Sequence, residues 1–174
     1  MERDNGLPNG VNLRDLRDRP DVVPVLARWL KAAFSPNRAH VTLEVIEARL
    51  RAEPTAGDAF PITWVAFAGA EPIGCARFVA ADHADRPELT PWLASVYVSP
   101  DWRRRGIASG LVRAVQTTAQ DAGYSALYLY TPDQAKLYAR LGFVAIGTVV
   151  HADDGRSSDL MVWRPDSARM DASN

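Results

Sequence analysis

Apolar residues recur along this chain at two spacings, which predict the order of its helices and strands. Helical spacing, with every third or fourth position apolar, marks four segments: 21–34, 42–50, 106–122 and 134–141. Alternating or continuous apolar runs rich in β-branched and aromatic residues predict seven strands: 10–16, 62–67, 73–80, 92–98, 127–130, 143–150 and 160–164. The predicted order is a strand, two helices, three strands, a helix, a strand, a helix and two final strands.

Residues 92–130 form the part of this pattern with the clearest topology. A strand, a helix and a second strand in succession make a β-α-β unit, which implies two parallel strands joined by a right-handed crossover. The runs at 62–67 and 73–80 instead flank a turn at 69–72 and predict an antiparallel hairpin. The chain therefore combines both kinds of strand pair, and a ligand of the β-α-β unit is expected at the carboxyl ends of its strands.

Composition and charge narrow the class of protein. The chain has 174 residues and a formal net charge of −1, which predicts one domain over 10–164 between tails at 1–9 and 165–174. The near-neutral charge argues against nucleic acid as the main partner. Cys75 is the single cysteine, so no intramolecular disulfide can form, as is usual in a reducing cytoplasm. Because no secretory signal, membrane-spanning apolar run or His/Cys cluster is visible, we expect a cytoplasmic protein without a membrane or metal partner.

The junction between the strand at 92–98 and the helix at 106–122 carries the strongest chemical signal. Arg103, Arg104 and Arg105 precede Gly106, and the helix then opens with small residues. The first turn of a helix has unpartnered N–H groups and the positive end of the helix dipole, so it attracts phosphate, and arginines add bidentate donors. The glycine spacing fits neither a P-loop nor a dinucleotide fingerprint. The phosphate-binding pattern that these residues do form is the string R-x-x-G-x-A at 103–108, directly after a strand.

A second string, L-Y-A-R-L-G-F, occupies 137–143. With the element order over 10–164, the two strings resemble the GNAT superfamily of N-acetyltransferases, whose signatures are [QR]-x-x-G-x-[GA] and L-Y-x-[KR]-x-G-F. The resemblance implies an α+β, GNAT-like fold: a central mixed, twisted sheet of about six to seven strands, flanked by about four helices. It also implies that the strand at 92–98 is bulged and splays from its parallel neighbour at 127–130. Residues 90–98 further resemble a bacterial subgroup related to aminoglycoside 6'-N-acetyltransferases, which is a hint about the acceptor.

The resemblance implies acetyl-CoA as the cofactor. It implies transfer of the acetyl group to a primary amine of a small molecule, by direct attack in a ternary complex. The pantetheine arm is expected along the backbone of Val96 and Val98, and the pyrophosphate on the N–H groups of 104–109. The cofactor-binding residues that the resemblance implies are Val96, Tyr97, Val98, Arg103, Arg104, Arg105, Gly106, Ile107, Ala108, Ser109, Thr131, Gln134 and Tyr138.

Acetyl transfer requires a neutral amine and a stabilised leaving thiolate. An alkyl amine is protonated at pH 7, and removing its proton costs roughly 4 kcal/mol. The family's tyrosine in the second string corresponds to Tyr138, the expected general acid or hydrogen-bond donor to the CoA sulfur. Many members carry glutamate where this chain has Trp92, so the base is open. Glu88 acting through water is the first candidate, Asp85 and His83 are alternatives, or the amine arrives already deprotonated.

The sequence gives less direct information about the residues that bind the acceptor amine and about other partners. Acidic residues that would suit a cationic amine are Glu44, Glu47 and Asp82, and aromatic residues that could line its pocket are Trp29, Phe34, Trp92 and Tyr97. A non-catalytic acyl-CoA-binding sensor or assembly module is the alternative function. The hypothesis of nucleic-acid binding through Arg103 to Arg105 has weak support, because one basic turn supplies few phosphate contacts. The expected partner is a small-molecule amine, without nucleic acid or membrane, and a homodimer is also open.

Overall fold

Seven strands and four α-helices make up the part of the chain that the computed structural model describes, residues 6–52, 59–152 and 154–165. The strands are β1 (Val11–Asp15), β2 (Ile62–Ala68), β3 (Glu71–Val79), β4 (Trp92–Val98), β5 (Leu127–Thr131), β6 (Val144–Val150) and β7 (Ser157–Trp163). The helices are α1 (Val23–Phe34), α2 (Leu43–Arg51), α3 (Ile107–Asp121) and α4 (Ala135–Arg140). Number and order of these elements agree with the prediction.

The strands form one mixed sheet in the order β1-β2-β3-β4-β5-β7-β6. Strands β1 to β4 pair antiparallel, β4 and β5 pair in parallel, and β7 pairs antiparallel with both β5 and β6. Helix α3 connects the two parallel strands, as expected for a β-α-β unit. The predicted α+β class, with a mixed sheet of seven strands and four helices, is confirmed.

Different helices cover the two faces of the sheet. Val65 and Phe67 of β2 pack in a cluster with α1 and α2, whereas Ala66 between them packs in a cluster with α3 and α4. The predicted apolar face of α3 is at most 1% exposed, and its residues are Ile107, Leu111, Val115 and Ala119. Burial of each larger aliphatic side chain contributes about 1.5–3 kcal/mol, so this face fixes α3 on the sheet.

Gly74 allows β3, β4 and α3 to approach closely. A Cβ atom at this position would lie 2.7 Å from the carbonyl oxygen of Tyr97 and 3.3 Å from Cδ1 of Leu111. Since the first distance is shorter than real Cβ contacts allow, any other residue would push β3 away from β4.

Strand β4 is bulged at its centre. Cys75 of β3 pairs with Tyr97, but Arg77, two residues further along β3, pairs with Ala94, three residues back along β4. The extra residue on β4 is accommodated at Ser95, whose φ of 54° is a left-handed conformation uncommon for a residue other than glycine. The predicted bulge is therefore present in β4.

Strands β4 and β5 also separate as predicted. Within the described residues they pair at one position, Trp92 with Tyr128, and the N–H of Tyr128 donates to the carbonyl of Pro91 at 3.0 Å. Beyond this pair the two parallel strands share no ladder, which leaves a gap on the carboxyl side of both.

The helix starts agree with the prediction in part. Thr42 caps α2, because its hydroxyl accepts a hydrogen bond from the N–H of Val45 at 3.3 Å. We also interpret Asp21 in the sequence as an N-cap of α1, and this is wrong: Asp21 lies in a 3-10 turn before α1 and pairs with Arg19 at 2.8 Å. That ion pair competes for the carboxylate that a cap would need.

The domain bounds 10–164 stay a prediction, because residues 1–5 and 166–174 of the expected tails lie outside the described residues. No helix in the described ranges is long and apolar enough to cross a membrane. The described residues also contain no group of three or more His, Cys, Asp and Glu side chains that could hold a metal ion.

Candidate active site

A cavity of about 530 Å³ opens where β4 and β5 separate. Residues 93–96 of β4 form one wall and residues 129–131 of β5 form another, and 132–134 and Tyr138 close it beside α4. We call this the α4 end of the cavity. The remaining lining residues are mostly polar and come from β3, from the segments around α1 and α2, and from the β6–β7 hairpin; this polar end contains Arg38, Arg49, Arg77, Asp82, His151, Asp154, Arg156 and Ser158.

The turn before α3 has the backbone that the R-x-x-G-x-A string suggests. Arg104 and Gly106 both have positive φ, 60° and 81°, which is uncommon for arginine and ordinary for glycine. The Arg103 side chain closes the turn onto the preceding strand, because its Nε donates to the carbonyl of Val98 at 3.0 Å. The guanidinium of Arg105 lies 4.9 Å from the ring centroid of Trp102. All three arginines are exposed, so their charges face solvent beside the first turn of α3.

Of the other residues implied for the cofactor, Val96, Thr131, Gln134 and Tyr138 line the cavity. Val98 packs against the cluster that contains α3. Ile107 is buried beneath α3, and Ala108 and Ser109 are half-buried in its first turn. The ring of Tyr97 stacks on Trp29 at 5.1 Å in the cluster with α1 and α2. Tyr97 is therefore not among the cavity-lining residues, and neither are Val98 and the residues of the 103–109 turn.

Tyr138 joins the cavity to the core. The side chain is 8% exposed and lies edge-to-face against Phe143, with centroids 5.8 Å apart. Burial, with a smaller contribution from the charge of Asp133, raises the pKa of Tyr138 to about 12. The hydroxyl therefore stays protonated at neutral pH and can donate a hydrogen bond into the cavity.

Thr131 fixes the start of α4, which carries Tyr138. Its hydroxyl accepts a hydrogen bond from the N–H of Gln134 at 2.9 Å, and the side chain is buried. At the other end of α4, the side-chain amide of Gln116 on α3 donates to the carbonyl of Leu141 at 2.8 Å. These two contacts hold Tyr138 in a fixed position between β5 and α3.

Of the two aspartates at the polar end, Asp82 has the more strongly shifted pKa. The residue is exposed in part, yet many protein atoms lie near its carboxylate, and this partial desolvation raises its pKa to about 6. The nearby charge of Arg77 and the hydroxyl of Tyr130 oppose the rise, as does Arg38. Asp82 is therefore ionised at neutral pH but takes up a proton within the range where an enzyme base is effective.

Tyr130, whose hydroxyl hydrogen-bonds Asp82, belongs to a cluster of one tyrosine and two histidines. The centroid of Tyr130 lies 5.3 Å from His83 and 5.1 Å from His151, and the two imidazoles lie 5.6 Å apart. A hydrogen bond of 2.8 Å connects Nε2 of His151 with the hydroxyl of Ser158. Burial, followed by the charge of His83, lowers the pKa of His151, so this ring is neutral at pH 7.

The first sequence candidates for the base lie elsewhere. Glu88 is exposed, its carboxylate lies 3.8 Å from Arg86, and it is not among the cavity-lining residues. Asp85 is exposed and is also not among the cavity-lining residues. His83 does not line the cavity either, but its ring packs against Tyr130, which does. Trp92, at the position where many relatives carry glutamate, is fully buried and donates its indole N–H to the carbonyl of Leu89 at 2.7 Å.

The predicted acceptor-side residues divide in the same way. Asp82 and Phe34 line the cavity, but Glu44 and Glu47 lie on α2 outside it, where Glu47 approaches Arg51 at 4.0 Å. Arg77, Tyr130 and His151 line the cavity and were not predicted. A signal existed for two of them, since Arg77 interrupts an apolar strand and Tyr130 stands at the carboxyl end of a parallel strand. Nothing in the sequence marks His151.

Known proteins with the same fold include several acetyltransferases. An acetyltransferase of the GNAT family from Streptococcus pneumoniae is 20% identical, with a TM-score of 0.64 over 88% of this chain and 98% of that chain. An aminoglycoside 6'-N-acetyltransferase complexed with coenzyme A is 16% identical, with a TM-score of 0.69 over 89% and 99%. A GNAT family acetyltransferase from Elizabethkingia anophelis with acetyl-CoA bound is 17% identical, with a TM-score of 0.66 over 91% and 100%. At these identities the similarity concerns the fold, and no curated protein matches the chain in sequence.

A family model decides the relationship. The model for the acetyltransferase (GNAT) family matches residues 23–143, which include most of the sheet, both sequence strings and the two strands that frame the cavity. This range is well over half of the chain. The protein therefore belongs to the GNAT family of acetyltransferases.

Proposed function

We propose that the protein transfers the acetyl group of acetyl-CoA to a primary amine of a small molecule, by direct attack in a ternary complex. The observation that carries the proposal is the cavity between the splayed β4 and β5, which has the protonated hydroxyl of Tyr138 at one end and the carboxylate of Asp82 at the other. An acid and a base in one cavity, with pKa values pushed to about 12 and about 6, suit the two proton movements of the reaction.

The described residues fit acetyl-CoA at the positions that the family suggests. The exposed Arg103, Arg104 and Arg105, with the first N–H groups of α3, make a phosphate-binding turn, and the positive φ of Gly106 permits close backbone approach. The gap along 93–96 leaves room for an extended arm. Two structural neighbours, the aminoglycoside 6'-N-acetyltransferase and the Elizabethkingia anophelis protein, were solved with coenzyme A and acetyl-CoA respectively, which supports this assignment.

Bound acetyl-CoA would supply a thioester whose carbonyl carbon is attacked by the amine nitrogen, so that a C–N bond forms and the C–S bond breaks. Tyr138 is then placed to donate a hydrogen bond to the departing sulfur. Its pKa of about 12 lies well above the value of about 8.5 for a thiol, so complete proton transfer would be uphill. We therefore assign Tyr138 the role of a hydrogen-bond donor to the thiolate.

Asp82 is our proposed base in place of Glu88, which the cavity does not include. The ammonium form of the acceptor must lose one proton, and the ionised Asp82 can accept it directly or through one water molecule. Because its pKa of about 6 lies closer to neutrality than that of an ordinary aspartate, the proton is taken up at a smaller free-energy cost. The hydroxyl of Tyr130 hydrogen-bonds this carboxylate, and the charge of Arg77 favours its ionised form.

The experiment that tests this function measures release of free thiol from acetyl-CoA in the presence of amine panels: amino acids, polyamines, aminoglycosides and peptides with a free N-terminus or lysine. We expect saturable release with one class. Loss of release in Tyr138→Phe and Asp82→Asn, with the acetyl-CoA-dependent rise in melting temperature retained, would assign both residues to catalysis. No release with any panel member, together with a retained rise in melting temperature, would favour the sensor or assembly module instead.

The cytoplasmic location and a homodimer stay predictions.

A further inference from the structure

We propose that the acceptor amine carries a carboxylate a few bonds from its nitrogen, and that Arg77 binds this carboxylate while Asp82 faces the amine. The inference rests on the proposed acetyl transfer and names the substrate class of the same cavity. A free amino acid or a similar small aminocarboxylate has the required chemistry.

The charge of the polar end is the first observation. It holds four arginines and two aspartates, namely Arg38, Arg49, Arg77, Arg156, Asp82 and Asp154. Asp154 and Arg156 pair with each other at 2.6 Å and cancel. Among the other described lining residues, Arg49 and Arg77 alone outnumber the single carboxylate of Asp82. This end is therefore positive and disfavours a polycation such as an aminoglycoside or a polyamine.

The hydrogen bonding of Arg77 is the second observation. Of its five N–H donors, one is used: Nη2 donates to the carbonyl of Arg49 at 3.2 Å. Its Nε is buried without a partner, and no carboxylate of the described residues lies within ion-pair distance. A largely buried guanidinium with unused donors is unfavourable by itself, and an anionic ligand would satisfy both its charge and its donors.

The arrangement of neighbouring charges is the third observation. Burial lowers the pKa of the Arg77 guanidinium most strongly, and the charge of Arg49 adds a smaller effect in the same direction. Asp82 is near enough to favour the charged form of Arg77, but the two side chains do not form an ion pair within 4 Å. Asp82 and Arg77 thus present a negative and a positive group side by side, which matches a ligand with an amine and a carboxylate separated by a few bonds.

The test compares amines that differ in the carboxylate alone. Each amino acid of a panel is assayed beside its carboxamide and the corresponding decarboxylated amine, by thiol release and, with coenzyme A present, by calorimetric binding. We expect the aminocarboxylate to exceed its carboxamide in kcat/KM and in affinity by about 100-fold. Arg77→Met is expected to remove most of this preference. Arg77→Lys is expected to retain part of it, because the charge remains but the bidentate geometry is lost.

Arg51→Met is the matched control, since Arg51 is an exposed arginine of α2 that is not among the cavity-lining residues. It is expected to leave the preference for the carboxylate unchanged, and a coenzyme A-dependent rise in melting temperature checks that each variant folds. Turnover of plain amines as fast as that of aminocarboxylates would overturn this inference and leave the acetyl transfer standing. Binding of aminocarboxylates over carboxamides without turnover would support the inference and contradict the proposed function. Absence of any preference in both rate and binding would refute the inference.

Discussion

Trp92 of β4 pairs with Tyr128 of β5, and their ring centroids lie 6.0 Å apart. Within the described residues this is the one ladder pair between the two parallel strands. Trp92 is fully buried, and its indole hydrogen bond to Leu89 anchors the connector that precedes it. The cavity opens directly beyond this pair. The residue that replaces the family's frequent glutamate therefore closes one end of the gap between the strands, and a base has to come from another element.

The bulge in β4 is expected to control the width of that gap. Ser95 has a left-handed backbone conformation, which costs a non-glycine residue roughly 1–2 kcal/mol and costs a β-branched residue more. We expect Ser95→Val to lower the melting temperature and to raise the KM for acetyl-CoA. The matched Ser95→Gly variant should retain both values, because glycine adopts this conformation freely. Thermal unfolding and steady-state kinetics check this, and equal melting of the two variants would show that the bulge does not depend on the residue at 95.

Tyr138→Phe is expected to lower kcat by roughly tenfold or more, because a hydrogen bond to the leaving thiolate is stronger in the transition state than in the ground state. The affinity for acetyl-CoA should change by less. Tyr124→Phe is the control, since Tyr124 packs against Phe60 at 5.8 Å in the same core cluster but is not among the cavity-lining residues. Steady-state kinetics and calorimetric binding separate the two effects. An unchanged kcat in Tyr138→Phe would exclude the role that we propose.

The pH dependence of kcat is expected to report Asp82. Because its pKa is raised to about 6, the base form disappears as the pH falls through that value, and kcat should fall with it. Asp82→Asn should lose most activity and this acidic limb. His151, whose pKa is lowered, packs against Tyr130 in the same cavity, so the pH profile of His151→Asn is measured for comparison. Glu88→Gln should leave the profile unchanged; if instead Glu88→Gln removes the limb, the base is Glu88.

Asp82 should also make the protein less stable as the pH rises. Its pKa is about 6 in the folded protein and near 3.9 in an unfolded chain, so the folded state binds more protons between these values. The free energy of unfolding contributed by this group therefore decreases from about pH 4 to pH 6 and stays reduced above it. Asp82→Asn is expected to raise the melting temperature at pH 7.5 and to leave it unchanged near pH 3.5. Asp85→Asn, at an exposed position outside the cavity, should change neither value.

The hydrophobic pattern was enough to predict the elements and their order. The face of α3 could be predicted because local spacing decides which side chains of a helix share a face, and Ile107, Leu111, Val115 and Ala119 are all buried. The strings at 103–108 and 137–143 identified the family for the same reason, since each places its chemistry within one turn or one short helix. Predictions failed where a competing contact decided the local structure, as when the Arg19 ion pair engaged Asp21.

The polar end of the cavity depended on tertiary structure. Arg77, Asp82 and His151 of the polar end, and Tyr130 of the adjacent β5 wall, come from four separate segments. The sheet order brings them together, because β7 lies between β5 and β6, and the connector after β3 packs against β5 through His83 and Tyr130. From the sequence we name Glu88 as the first candidate base and Asp82 only as an acidic residue that would suit a cationic amine, because composition does not reveal which loop carboxylate lies at the cavity. Burial raised the pKa of Asp82, while Glu88 remained beside Arg86 in solvent. The family and the expected position of acetyl-CoA thus followed from the sequence, whereas the base and the acceptor class that we propose depend on the packing of distant segments.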